Sequence, residues 1–254
     1  MKYVNYQKLD AVGVVTLAKP PHNLMDEQLL ESVMEAYKIA VGENCRAILL
    51  RSDLRHFCVG ADVAQFKKEW RGADQASLVR LHAGMEDLGI PTVAAVKGAA
   101  LGGGFELALW CDFIIATETS FMGLPESSLG LIPLLGGVQR VAQRAGVSRA
   151  KEMAMLARRY DARTLEKWGV VNLVTSDAEL DDVSMSYVKQ LAAGATVSLN
   201  AIKTLADIAG RFGSAEADRR QIAINQTVWD SRDAFVGIDA YLTTGPGTAV
   251  FEGQ

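Results

Sequence analysis

The chain has 254 residues, 49% hydrophobic and 22% charged, a balance that suits one α/β domain able to bury a full core without disulfide staples. A formal net charge of −4 argues against general nucleic-acid or membrane-surface binding and leaves room only for a local basic patch facing an anionic ligand. The three cysteines, Cys45, Cys58 and Cys111, are widely spaced in apolar contexts; they read as buried reduced thiols, not as a disulfide framework or metal ligands, which suits a reducing cytoplasm.

The opening MKYVNYQKLDAVGVVTL alternates like a strand, and lacks the apolar core of a signal peptide and the Arg/Ser-rich amphipathicity of a transit peptide. Glycines, Lys97 and Glu106 interrupt the longest apolar stretch, so no membrane span is expected. A soluble, untargeted, cytoplasmic protein is the expectation. Ala11 to Ala18 predicts a strand, and the turn Pro20-Pro21-His22-Asn23 leads to Asp26, which caps a helix to about Val41 with Leu29, Leu30, Val33, Met34 and Tyr37 on its apolar face. Arg46 to Arg51 is the next strand. Gly60-Ala61-Asp62 then makes a strand-to-helix corner with free N–H groups, where Asp62 is either an N-cap or a direct ligand contact. Lys67, Lys68 and Arg71 follow as a basic stretch, and Asp74 to Leu88 predicts an amphipathic helix.

Val93 to Thr117, VAAVKGAALGGGFELALWCDFIIAT, is the stretch that points to chemistry. A buried strand from Pro91 to Val96 meets three glycines, Gly102 to Gly104, and then a short helix from Phe105. Glycines let backbone N–H groups approach a ligand, and a helix start adds unpaired donors, so this corner can hold a developing oxyanion. Glu106 stands in the apolar run, where a carboxylate is expensive unless it is paired or holds its proton; the alternative is a helix position facing water. The glycines match neither a P-loop nor a dinucleotide fingerprint.

Residues 121–140 carry dense Gly/Pro punctuation around apolar residues, the mark of an ordered loop, with Glu126 as its only carboxylate. Helices are expected at about 137–145, 148–158 and 162–167, then a strand Val170–Val174 and a helix including Ser184–Leu191. Val197 to Leu242 has helical patterns only, which places a boundary near Ala195 between a core of 1–195 and a helical region of 196–254.

Taken together, Phe57-Cys-Val-Gly-Ala-Asp62, Ala100-Leu-Gly-Gly-Gly-Phe-Glu-Leu-Ala108, Cys111-Asp112, Pro125-Glu126 and Gly136-Gly137-Val-Gln-Arg140 resemble the enoyl-CoA hydratase/isomerase (crotonase) family, in order and spacing over nearly the whole chain. The resemblance implies a crotonase-like spiral of ββα units with a helical C-terminal part that assembles trimers, often paired into hexamers. It implies an acyl-CoA thioester substrate and no cofactor or metal beyond the coenzyme A that the substrate carries. By motif position, the thioester oxygen would lie between the N–H groups of Ala61 and Gly103, with Gly60, Asp62 and Gly102 alongside. Such donors are commonly worth about 2.7–4 kcal/mol each when aimed at an enolate oxygen.

Both glutamate positions of the family's hydratases are filled, by Glu106 and Glu126, which implies syn addition of water to a 2-enoyl thioester. Glu126 would protonate the α-carbon and Glu106 would help activate water. The alternatives are an enoyl-CoA isomerase or another acyl-CoA lyase or hydrolase of the same family, and, outside catalysis, an acyl-thioester-binding scaffold. Three departures bear on this. Pro133-Leu134-Leu135-Gly136-Gly137-Val138 replaces the family's Pro-Gly-Ala-Gly-Gly-Thr, and Leu134 is bulky and ill suited to positive φ. Thr243-Thr244-Gly245-Pro246 replaces a basic run. Ala64 stands where many hydratases have lysine, so either Lys67 and Lys68 hold the CoA phosphates or the acyl group arrives on a carrier protein's phosphopantetheine.

Overall fold

The computed structural model describes residues 1–63, 84 and 88–254. The helix expected between Asp74 and Leu88 lies almost wholly outside the described residues, as do Ala64, Lys67, Lys68 and Arg71. A six-stranded sheet holds β1 (Val4–Leu9), β2 (Val12–Leu17), β3 (Ala47–Ser52) and β4 (Thr92–Val96), and beyond them Phe113–Thr117 and Leu173–Thr175, in that spatial order. A three-stranded sheet holds β5 (Ala99–Leu101), then Phe121–Gly123 and Arg159–Asp161. In chain order the last four strands are β6 (Phe113–Thr117), β7 (Phe121–Gly123), β8 (Arg159–Asp161) and β9 (Leu173–Thr175). Only β1–β2 and β7–β8 pair antiparallel among these strands.

Parallel strands require crossovers and cover on both faces, so their side chains are apolar inward and outward alike. Val15, Leu17, Ile48, Leu50, Ala94, Val96, Ile114 and Ala116 face one core, which also takes Leu29, Val33, Ala36, Tyr37 and Ala40 of α1 (Glu27–Gly42). The alternate residues Val12, Val14, Ala47, Leu49, Val93, Ala95 and Ile115 face a second core, closed by Leu180, Val188 and Ala192. The Asp26 carboxylate caps α1 by accepting from Leu29 N–H at 2.9 Å, as the sequence predicts.

The chain repeats one move. A strand of the large sheet leads through a turn to a short strand of the small sheet and then to a helix: β4 and β5 precede α2 (Gly103–Leu109), and β6 and β7 precede a 3-10 turn (Glu126–Leu129) and α3 (Gly137–Ala145). The same move occurs in reduced form earlier, where Met25 bridges Ala61 and Cys58 bridges Ala100. Each repeat delivers the end of its short strand to the same side of the molecule, which brings residues 25, 60–61, 102–106 and 126 together.

After α3 come α4 (Val147–Met155), α5 (Ala162–Lys167), α6 (Leu180–Ala193), α7 (Thr196–Phe212), α8 (Ser214–Trp229) and α9 (Arg232–Thr243). The helical end is tied to the sheet by Arg46, whose guanidinium donates to Gly194 O, to Thr196 Oγ1 at 3.0 Å and to Phe251 O at 2.7 Å. On α7, Lys203 pairs with Asp112 at 3.0 Å, and that carboxylate also accepts from Thr92 N–H at 2.8 Å.

Two expected elements change. The strand expected at Val170–Val174 pairs only from Leu173, because the N–H groups of Val170 and Val171 both turn back to Leu165 O and close α5. The helix expected to reach 158 ends at Met155; Ala157 then takes φ +50 and the chain enters β8 against β7. All three cysteines are free and buried, as expected.

Candidate active site

A cavity of about 610 Å³ opens where the repeats converge. Its lining includes Gly60, Ala61, Gly102 and Gly103, the carboxylates Glu106 and Glu126, and the apolar side chains of Met25, Leu30, Val63, Leu129, Leu131, Ile132, Leu134 and Leu135. The ionisable groups lining it, among the described residues, are all carboxylates: Asp26, Glu27, Glu106 and Glu126.

Gly102 makes the corner between β5 and α2. It holds φ +51, and a Cβ there would lie 2.6 Å from Glu126 Oε1, so a side chain would be strained and would collide with the second carboxylate. Its own N–H donates to Gly123 O at 2.9 Å, which stitches the corner to β7. The following N–H, that of Gly103, begins α2 and has no acceptor among the described residues; neither has the N–H of Ala61, since the Met25–Ala61 bridge uses Gly60 O and Asp62 N–H instead. Both residues line the cavity. Among the described residues, the cavity is thus lined by two residues whose backbone N–H groups have no protein acceptor.

Glu106 is 2% exposed. Its Oε1 accepts from Leu135 N–H and from Gly137 N–H, each at 2.8 Å. Burial raises its pKa to about 7; the two N–H donors and the Arg140 charge oppose the rise, and the Glu126 charge adds to it. Glu106 can therefore both take and give a proton near neutrality. Glu126 begins the 3-10 turn after Pro125, and its Oε2 is buried with no hydrogen-bond partner among the described residues. Burial again raises the pKa, so the protonated form of Glu126 is favoured relative to a solvated glutamate. Two carboxyl groups with different surroundings at one cavity suit an acid and base pair.

Of the other residues singled out in the sequence, Leu134 lines the cavity at 45% exposure. It is not among the non-glycine residues with positive φ; Gly136 takes that conformation instead, at φ +84. Asp62 stands beside the cavity, outside its lining, with its N–H on Met25 O at 2.9 Å. Lys67 and Lys68 lie outside the described residues. Sequence reasoning passed over Met25, Leu129, Leu131, Ile132 and Leu135, because apolar loop residues carry no signal that separates a cavity wall from a core.

Residues 7–248 match the sequence family described as enoyl-CoA hydratase/isomerase. The chain belongs to that family. A Rhizobium meliloti (strain 1021) protein named "Probable enoyl-CoA hydratase" is 32% identical over 242 residues, 91% of each chain. "Enoyl-CoA isomerase/hydratase fer4" of Mycosarcoma maydis is 30% identical over 252 residues, 92% of this chain and 90% of that one. The solved structure described as "Enoyl-CoA Hydrates Subunit I" of Geobacillus kaustophilus HTA426 superposes with a TM-score of 0.89 at 30% identity, covering 99% of this chain and 98% of that one. The fold is that of the crotonase family, and as a family member the chain is an enzyme acting on acyl-CoA thioesters. No helix of the described residues is long and apolar enough to cross a membrane.

Proposed function

We propose that this enzyme is an enoyl-CoA hydratase, adding water across the double bond of a 2-enoyl-CoA. The observation that carries the reading is that Glu106 and Glu126 line one cavity with the undonated N–H groups of Ala61 and Gly103. A member with one carboxylate there could move a proton but would lack the second group that water addition uses.

In this reading the thioester oxygen accepts from Ala61 and Gly103 N–H. Glu106 takes a proton from water as its oxygen attacks the β-carbon, and negative charge passes through the α,β-bond to the thioester oxygen, where the two N–H groups stabilise the enolate. The enolate collapses and its α-carbon takes the proton of Glu126. The cycle closes when Glu106 releases its proton and Glu126 regains one from solvent. No cofactor is used beyond the coenzyme A of the substrate. The mostly apolar side chains lining the cavity among the described residues support an acyl group from fatty-acid, amino-acid or aromatic-acid breakdown. A soluble cytoplasmic homotrimer or hexamer completes the proposal.

The deciding experiment supplies 2-enoyl- and 3-enoyl-CoAs side by side in ¹⁸O-labelled water. The expected result is solvent oxygen on the β-carbon of the 2-enoyl product. Proton exchange without oxygen incorporation would replace hydration by double-bond isomerisation, in which one glutamate shuttles the proton. Binding of acyl-CoA with neither outcome would leave another lyase or hydrolase reaction of the same family.

A further inference from the structure

The two donors that hold Glu106 belong to a loop that is itself held from behind. Trp110, directly after α2, donates its indole N–H to Leu135 O at 2.8 Å, a buried bond. The Arg140 guanidinium lies over the Trp110 ring at 3.3 Å from its centroid, and its Nη1 donates to Gly136 O at 3.3 Å. In a trans peptide the carbonyl and the N–H point in opposite directions. The peptide joining Gly136 to Gly137 is thus gripped at both ends: its oxygen by Arg140, its N–H by Glu106 Oε1. The preceding peptide is gripped at its oxygen by Trp110, and one peptide earlier Leu135 N–H meets the same Oε1. Gly136 is built for this contact, since at φ +84 a Cβ would lie 2.2 Å from Arg140 Nη1.

We infer that Trp110 and Arg140 are positioning residues for Glu106, fixing the 135–137 backbone so that two N–H groups converge on Oε1 and leave the other carboxylate oxygen for proton exchange. Neither residue lines the cavity that Glu106 faces; both line a separate cavity of about 880 Å³ behind it, bounded also by α7. They act through the loop and do not touch substrate. The functional consequence rests on the reading of Glu106 as a proton-exchanging group, whereas the structural claim can be measured without any substrate.

Among the described residues, the charged groups acting on Glu106 are Glu126 from the 3-10 turn and Arg140 from α3, and the same cavity is lined by Glu27 and by Asp26, which pairs with Lys19. Because Arg140 also acts by charge, Trp110→Phe is the decisive variant: it keeps an aromatic ring beside the guanidinium and removes the indole N–H, along with part of the indole's buried volume. The readout is the titration midpoint of Glu106 in the ligand-free protein, by ¹³C NMR with carboxyl-labelled glutamate and Glu106→Gln to assign the signal. Loss of one well-aligned N–H bond to a carboxylate weakens the acid about tenfold, so the midpoint is expected to rise by about one unit from its value near 7. Arg140→Lys keeps the charge but not the planar stack, and is expected to shift the midpoint the same way by less.

In the hydration assay the same variants are expected to lower kcat and move its pH profile upward with KM little changed. A folded Trp110→Phe whose midpoint stays within about twofold of the wild-type acid constant overturns the inference. If Trp110→Phe does not fold, Arg140→Lys decides alone, and an unmoved midpoint there overturns it equally. An NMR shift in an enzyme that hydrates nothing would keep the positioning role and remove the hydratase reading.

Discussion

Glu106 shows how one residue couples folding to chemistry. Its pKa in the folded protein, about 7, lies above its ordinary value of 4.5, because the cost of burying the charge exceeds the gain from Leu135 and Gly137 N–H. Between those two values the folded state binds more protons than the unfolded chain, so this residue's contribution to stability is full below about pH 4.5 and is lost as pH rises through 7. The shift corresponds to roughly 3 kcal/mol at 1.36 kcal/mol per unit. Glu106→Gln keeps an acceptor for both N–H groups but cannot ionise. Urea titrations are expected to find it more stable than wild type by about that amount at pH 8 and near-equal at pH 5; the same offset at both pH values would contradict this account. Its hydration rate should fall by at least about 10²-fold. Gly102→Ala tests the neighbouring carboxylate: the Cβ meets Glu126 Oε1 at 2.6 Å in a left-handed backbone, so turnover is expected to drop by a similar factor in a protein whose circular dichroism is unchanged.

At the scale of elements, the turn from β5 into α2 depends on close backbone approach. Gly104 faces Cys58, and a Cβ there would lie 2.2 Å from Cys58 O, a backbone atom that cannot rotate away. Gly104→Ala should therefore push α2 from the Cys58–Ala100 bridge and cost about 1–3 kcal/mol, read as a lower midpoint in chemical denaturation with unchanged slope. This corner was legible in the sequence because three glycines between an apolar strand and a helix have few other uses, and the cap of α1 at Asp26 was legible for the same local reason. The strands of the small sheet were not. Ala99–Leu101, Phe121–Gly123 and Arg159–Asp161 are three residues each, too short for a period, and their pairing is decided by partners 22 or more positions away. Glu126 illustrates the same limit for the site. Nothing local distinguishes it from a surface glutamate, and only the convergence of two repeats puts it over Gly102. The family resemblance supplied what the local pattern lacked.

At the scale of the whole molecule, the helical end carries more apolar surface than one chain can use. Trp229 ends α8, and Phe235, Ile238, Tyr241 and Leu242 lie on α9; all are exposed, and all but Phe235 line one depression of about 430 Å³ together with Val228 and Phe251. The base of this region is well anchored, since the buried Asp233 carboxylate accepts from Glu252 N–H at 3.0 Å and from Gly253 N–H at 2.7 Å, which fixes the tail against α9. A rigid surface with large apolar side chains standing out from it is costly in water, and patches of this kind are usually covered by protein. Closed homo-oligomers are the common solution. Taken with the trimers and hexamers that the family resemblance implies, sedimentation at micromolar concentration is expected to give a mass of three or six times the 27.4 kDa chain. The paired substitutions Tyr241→Glu and Leu242→Glu should shift it toward the monomer, because each buries a charge in any interface formed there. Since Glu126, Glu106 and the two N–H donors of Glu106 all come from residues before 140, the dissociated form should retain binding of an acyl-CoA even if its Tm falls. A monomeric wild type would refute the assembly. An oligomer untouched by both charges would mean that a different face of the molecule holds it together.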